Sequence, residues 1–249
     1  AFETYYATLS ETGWYSTQVS NGSLDSPSGS GDGAISPGIA IDPIGGVHLI
    51  WRNKQSQVQS SLHYHLVGGS GEPIEVPRVC ESGVVAYPSL AVDGAGKVHV
   101  AWTGNRDCDD SSLGFSVYYS VKDGATGFGT PVEITGESSL AGASHEAPQI
   151  VIGAAAGQNQ QPVGVTWSSN AAVGQSGGDS DILFQRYSEE DSQAALRLLS
   201  EPTSADNISN ASSVFPSTAS DAAGILACWQ EKDDSPSPDF DIFCTRLEW

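Results

Sequence analysis

One strand-by-strand pattern is written four times along this chain, and a repeat of that kind limits the architecture more than any other feature. The first copy reads Pro37-Gly38-Ile39-Ala40-Ile41-Asp42-Pro43-Ile44-Gly45-Gly46-Val47-His48-Leu49-Ile50-Trp51. The second reads Pro88-Ser89-Leu90-Ala91-Val92-Asp93-Gly94-Ala95-Gly96-Lys97-Val98-His99-Val100-Ala101-Trp102. The third runs from Pro148-Gln149-Ile150-Val151-Ile152-Gly153 to Pro162-Val163-Gly164-Val165-Thr166-Trp167, and the fourth from Pro216 through Asp221, Gly224 and Cys228 to Trp229. Successive tryptophans of the pattern lie 51, 65 and 62 residues apart, so the unit keeps its strands and varies its loops.

Each tryptophan is followed by a polar loop and a third strand: Leu62-His63-Tyr64-His65, Val117-Tyr118-Tyr119-Ser120, the run from Asp181 to Arg186, and the run from Asp241 to Arg246. Three units add a fourth strand, at Pro73–Val76, Pro131–Ile134 and Leu196–Leu199. β-Branched and aromatic runs bounded by Gly, Asp and Pro read as strands, and no helical period of useful length competes with them. Four antiparallel strands repeated in this way predict an all-β propeller with four blades, or a segment of a longer array. The expected organisation is one domain over 1–249, with blades at 35–80, 86–135, 146–200 and 214–249 and closing strands in 1–20. Thr4–Leu9 and Trp14–Val19 read as third and fourth strands without their first two, and the last unit lacks a fourth. Trp14–Val19 is therefore expected to complete the last blade, leaving Thr4–Leu9 as a surplus strand available for self-assembly.

The pattern Pro-x-Ile-Ala-x-Asp-x-x-Gly-x-Val-His-Val-x-Trp, then a loop and Asp-Ile-Phe/Tyr-x-x-Arg, resembles the repeats of secreted bacterial sialidase-like β-propellers. Ser10-Glu11-Thr12-Gly13-Trp14 resembles, in shortened form and with Glu for Asp, the Ser-x-Asp-x-Gly-x-x-Trp turn between third and fourth strands in that family. The six arginines, at 52, 78, 106, 186, 197 and 246, are scattered and none begins an Arg-Ile-Pro motif. The resemblance thus implies the fold and leaves the chemistry open.

Ten Lys and Arg against thirty Asp and Glu give a formal charge of −20, which argues against nucleic acid and anionic membrane surfaces as partners. No apolar run reaches the roughly 20 residues that span a bilayer, so no membrane insertion is expected. Four cysteines suit an oxidising compartment, and an extracellular location is expected. Cys228 and Cys244 fall on adjacent antiparallel strands. Cys80 follows a fourth strand and Cys108 sits in the next loop on the same face. Pairs Cys80–Cys108 and Cys228–Cys244 are therefore predicted. Asn21, Asn207 and Asn210 match the glycosylation acceptor pattern.

Residues that recur at one repeat position are read first as builders of the fold. Asp42, Asp93 and Asp221 precede glycines in the turn between first and second strands, where a carboxylate caps backbone N–H groups. Trp51, Trp102, Trp167 and Trp229 can pack between blades or stack on sugar rings. His48 and His99 stand three residues before their tryptophans, and His63 and His65 share one face of a strand. His145 with Glu146 is the pair the repeat explains least, and it is a candidate binding site. Acidic residues gather in the loops between second and third strands: Asp107, Asp109 and Asp110; Asp179 and Asp181; then Glu231, Asp233, Asp234, Asp239 and Asp241. Calcium favours clustered oxygens, and Asp179 with Asp181 is the candidate metal site. Function is expected to be that of an extracellular, non-enzymatic binding or assembly module whose loops meet a glycan or an extracellular protein. The alternative is an exo-glycosidase of the sialidase-like class, which needs two carboxylates flanking a pocket.

Overall fold

A computed structural model describes residues 3–20, 34–56, 58–81, 83–108, 114–124, 126–136, 140, 142–153, 161–171, 180–187, 196–200, 212–232 and 240–249. Among them are seventeen strands. β1 (Tyr5–Ser10) and β2 (Gly13–Gln18) form a hairpin. The first blade is β3 (Ala34–Ile41), β4 (Val47–Lys54), β5 (Ser60–Leu66) and β6 (Ile74–Val76). The second is β7 (Val85–Val92), β8 (Val98–Asn105), β9 (Phe115–Lys122) and β10 (Val132–Glu133). The third is β11 (His145–Ile152), β12 (Val163–Ser169), β13 (Asp181–Tyr187) and β14 (Arg197–Leu198). The fourth holds β15 (Ser212–Ser220), β16 (Gly224–Lys232) and β17 (Phe240–Glu248). Every sheet is an antiparallel meander in chain order, and the fold is a β-propeller.

The first strand of each blade is the inner one. β3, β7, β11 and β15 neighbour one another in that order. Ile150 N donates to Ser89 Oγ at 3.1 Å, and Ser220 Oγ donates to Ile152 O at 2.8 Å. Gly38 allows the closest approach: a Cβ there would meet Ile50 Cγ2 at 3.0 Å and Leu90 Cδ2 at 3.2 Å. The inner strands begin upstream of the prolines that open the sequence repeat. Pro37, Pro88, Pro148 and Pro216 sit within them, at β-bulges where the register shifts in all four sheets. A bulge is where a strand tolerates proline, because no ladder N–H is needed there. The preceding residues Ser36, Tyr87, Ala147 and Phe215 take φ of 51°, 49°, 51° and 52°.

Blades stack by one rule. The face bearing the tryptophan packs on the opposite face of the blade before it. Trp102, Val98 and Val100 meet Ile50, Leu62 and Tyr64. Trp167, Val163 and Leu183 meet Ala101, Val117 and Tyr119. Ile225 of the fourth blade meets Val151 and Phe184 of the third. Trp51 lacks a preceding blade, and Tyr6 and Val19 from the hairpin and its flank pack beside Trp51, Leu49 and Ala34 in its place. Burial of this kind is the main favourable contribution to such a fold, at roughly 25 cal/mol per Å² of apolar surface.

Both disulfides form as the strand order predicts. Cys228 and Cys244 are register partners on β16 and β17, with Cα atoms 4.0 Å apart. Cys80 and Cys108, with Cα atoms 5.1 Å apart, tie the end of the first blade to the second. The expected closure by Trp14–Val19 is not seen. Among the described strands β2 pairs with β1 alone, the hairpin lies against the first blade, and no described strand pairs with the outer edge of β17. Inner strands β15 and β3 share no contact comparable with those that join the other neighbours.

Candidate functional site

The repeated residues prove structural. Asp42 Oδ1 accepts from the amides of Ile44 and Gly46 at 2.9 and 2.7 Å, and Asp93 Oδ1 from those of Ala95 and Lys97 at 2.9 and 2.8 Å. Gly45 and Gly96 supply the positive φ these turns require, at 91° and 83°. The remaining Asp42 oxygen lies 3.2 Å from His48 Nε2, and His48 Nδ1 lies 2.7 Å from Tyr64 Oη. The second blade repeats this: His99 Nε2 is 3.4 Å from Asp93 Oδ2, and Nδ1 is 2.6 Å from Tyr119 Oη. The hydrogen bond to His48 holds the Asp42 carboxyl below its usual range, and burial, aided by that charge, pushes Tyr64 up to about 12. The third blade replaces all three members together, with Gly153, Gly164 and Phe184. A Cβ at Gly164 would meet Phe184 at 2.8 Å and Ile225 of the next blade at 2.9 Å, so no histidine fits. In the fourth blade Asp221 instead accepts from Arg246 Nη2 at 2.7 Å.

Other expectations are corrected by burial. Trp51, Trp102, Trp167 and Trp229 are 1%, 1%, 0% and 6% exposed, so no indole face is free to stack on a sugar. Trp102 and Trp167 lie between blades, Trp51 lies beneath the hairpin, and Trp229 stacks on Phe243 of its own blade. His63 stacks on Trp51 at 5.9 Å rather than serving a metal pair with His65. His65 lies in a groove of about 190 Å³ beside Glu72 and Lys122, at the blade ends opposite the axial loops. Asp181 is a buried strand residue of β13 that accepts from Ser200 Oγ at 3.0 Å. Asp179, its expected partner for calcium, lies outside the described residues, as do Asn21, Asn207 and Asn210. No cluster of three metal-ligating side chains occurs among the described residues.

His145 and Glu146 open β11, at the end of the blade where second strands finish and third strands begin. They behave differently. His145 is fully buried; Nε2 meets Leu140 O at 3.3 Å, and burial drives its pKa down to about 4, with Arg106 adding to the shift. It cannot meet a ligand at the surface. Glu146 is exposed. Its register partner is Ser168, on the third blade's face that meets the fourth. Ser168 Oγ donates to Ser213 O at 3.2 Å across that seam. Ser213 in turn is the register partner of Glu231, whose Oε2 accepts from Ser213 Oγ at 3.5 Å and from Trp229 Nε1 at 3.3 Å.

Glu146 and Glu231 therefore stand on the two sides of one seam, which the Ser168–Ser213 hydrogen bond crosses. Sequence reading placed Glu231 among loop acids. The signal that it belongs to β16 was present, because it stands two residues past Trp229 and so shares its face. Basic and aromatic groups adjoin the same end of the blades. Arg52, half-buried, has its charge disfavoured by desolvation and lies within the field of Tyr87. Arg106 Nε donates to Ser116 Oγ at 2.9 Å, and Phe215 is 61% exposed.

No family model matches the sequence, and no curated protein matches it. Solved structures do. A thermostable family-43 glycoside hydrolase superposes with a TM-score of 0.51 at 10% identity, over 90% of this chain and 74% of that one. The GH93 α-L-arabinofuranosidase of Fusarium graminearum, solved with arabinobiose, gives 0.55 at 12% identity, over 86% of this chain. This chain spans 62% of that enzyme, less than two thirds of its length. An α-L-arabinanase of Penicillium chrysogenum, also with arabinobiose, gives 0.52 at 12% identity, over 95% and 69% of the two chains. The expectation of a non-enzymatic module is overturned by these neighbours, all of them glycoside hydrolases. At such identities the likeness establishes the architecture that the repeat predicted, a β-propeller of the kind found among glycoside hydrolases.

Proposed function

We propose that the chain forms the propeller of an extracellular glycoside hydrolase with Glu146 and Glu231 as its carboxylate pair. The observation that carries this is their placement on facing blades, on the two sides of the seam that the Ser168–Ser213 hydrogen bond spans. Glycoside hydrolysis needs one carboxylic acid to protonate the leaving oxygen and one carboxylate to attack the anomeric carbon or activate water. Glu231, held by Trp229 and Ser213, suits the fixed role of nucleophile or base. Glu146, exposed at the rim, suits the acid that meets the glycosidic oxygen. Arabinofuranosides are the first substrates to try, given the neighbours. Two disulfides support an oxidising compartment, and no helix among the described residues is long and apolar enough to cross a membrane.

The test is hydrolysis of aryl α-L-arabinofuranoside, arabino-oligosaccharides and an aryl sialoside, using the wild type, Glu146→Gln and Glu231→Gln. Activity on one substrate, with kcat reduced at least about 100-fold in each folded variant, is expected. Full activity in either variant overturns the assignment of that carboxylate.

A further inference from the structure

The same bulge in the four inner strands carries four different residues, and two of them are aromatic. Ser36, Tyr87, Ala147 and Phe215 each stand directly before the bulge proline at the positive φ given above, a backbone conformation that bulky side chains rarely take. Ser36 and Ala147 form the bulge without a ring, so the fold does not call for one there. Burial does not favour the rings either. Tyr87 is 41% and Phe215 61% exposed. Among the described residues neither makes a ring contact or a side-chain hydrogen bond, and neither joins a core cluster. An aromatic side chain kept at strained backbone without a structural gain points to a partner outside the fold.

The position of the two rings relative to Glu146 is specific. β7, β11 and β15 are successive inner strands, and Glu146 directly precedes Ala147, the bulge residue of the middle one. Tyr87 and Phe215 therefore stand at the same end of the two blades that flank Glu146, one on each side. The four repeat tryptophans are closed off from solvent, whereas these two rings are open to it. An exposed ring offers a flat apolar face. That face suits the C–H side of a furanose or pyranose and leaves the hydroxyls of the sugar to polar groups nearby. Such groups are present: Glu146 is exposed on the middle blade, and the Arg52 charge lies within reach of Tyr87.

We propose that Tyr87 and Phe215 are sugar-stacking subsites on the two sides of Glu146, and that the ligand is an oligosaccharide lying across the ends of the second, third and fourth blades. The ligand class rests on the glycoside hydrolase reading above; the choice of residues rests on exposure and backbone geometry. A single terminal sugar meets at most one of the two rings, whereas a chain meets both. Ala147 places only a methyl group at the same bulge beside Glu146, so no third ring stands between them.

The test measures binding of neutral and acidic oligosaccharides, from disaccharide to hexasaccharide and including arabino-oligosaccharides, to the chain bearing Glu146→Gln, so that the ligand is not consumed. Tyr87→Ala and Phe215→Ala should each weaken the best-bound long chain by about 10-fold, and together by about 100-fold, because separate contacts add. Tyr5→Ala, exposed on the hairpin, should leave binding unchanged. Tyr87→Gly and Phe215→Gly should weaken binding as much while keeping Tm within about 2 °C of the parent or above it, since glycine takes positive φ freely. A purely structural role would lower Tm instead. The proposal is overturned if no oligosaccharide binds, if only one of the two rings matters, or if the glycine variants fall below that range. It fails separately from the carboxylate assignment. Undiminished binding in both aromatic variants removes the subsites and leaves Glu146 in place. Cleavage by Glu146→Gln removes that carboxylate, and the aromatic variants are then compared through KM.

Discussion

The third and fourth blades are built from one pattern and experience it differently. Ile182 and Ile242 occupy the same register, follow the same aspartate and end the same loop, yet one is wholly buried and the other 70% exposed. Their own sheets treat them alike; the difference is the neighbour. A blade thus secures its ladder hydrogen bonds by itself and its burial from the blade beside it. Seam residues respond accordingly. Where the fourth blade presses on the third, Gly164 and Phe184 replace the histidine and tyrosine of the earlier blades, and the network leaves as a unit.

The largest effect expected from this contrast is on stability. Ile182→Ala should cost about 2–5 kcal/mol in urea denaturation, and Ile242→Ala no more than about 0.5 kcal/mol. Equal costs would break the comparison. Acid should reveal a second contrast between the same blades. His145 in the third blade has a folded pKa of about 4, below the ordinary 6.5, so the unfolded chain binds the proton first as pH falls. The stability present above pH 6.5 should therefore decline by about 3 kcal/mol on reaching pH 4. Ser213 stands at the corresponding place in the fourth blade and carries no such penalty. His145→Gln should flatten the decline, as read by denaturation midpoints across that range.

The smallest effect sharpens the contrast between the early blades and the fourth. Tyr64→Phe leaves buried His48 short of a partner and should cost about 1–3 kcal/mol. Arg246→Ala removes a half-exposed ion pair to Asp221 and should cost at most about 1 kcal/mol. A reversed order would mean that the fourth blade is the more tightly specified of the two.

What the sequence revealed follows the same division. Strand order, blade units and both disulfides were readable because they depend on period and parity within one sheet. The His48–Tyr64 link was also within one sheet, and its signal was the joint loss of His and Tyr in later repeats. The proposed pairing of Glu146 with Glu231 was not readable, since the two residues stand on different sheets, on the two sides of a seam. The sequence repeat opens on Pro37 and its counterparts, whereas the inner strands begin upstream of them. A proline inside an inner strand marks a bulge, and that reading extends β11 back to His145 and Glu146.

The four bulges have a further consequence. Left-handed backbone at a non-glycine residue costs about 1–3 kcal/mol, and this chain accepts it at Ser36, Tyr87, Ala147 and Phe215. Those residues stand outside the ladder register of their sheets. Their side chains range from the methyl of Ala147 to the hydroxybenzyl group of Tyr87, with the same register shift in the strands around them. The four bulges therefore hold one backbone geometry under four different side chains, of which those of Ser36, Tyr87 and Phe215 are exposed and that of Ala147 is buried.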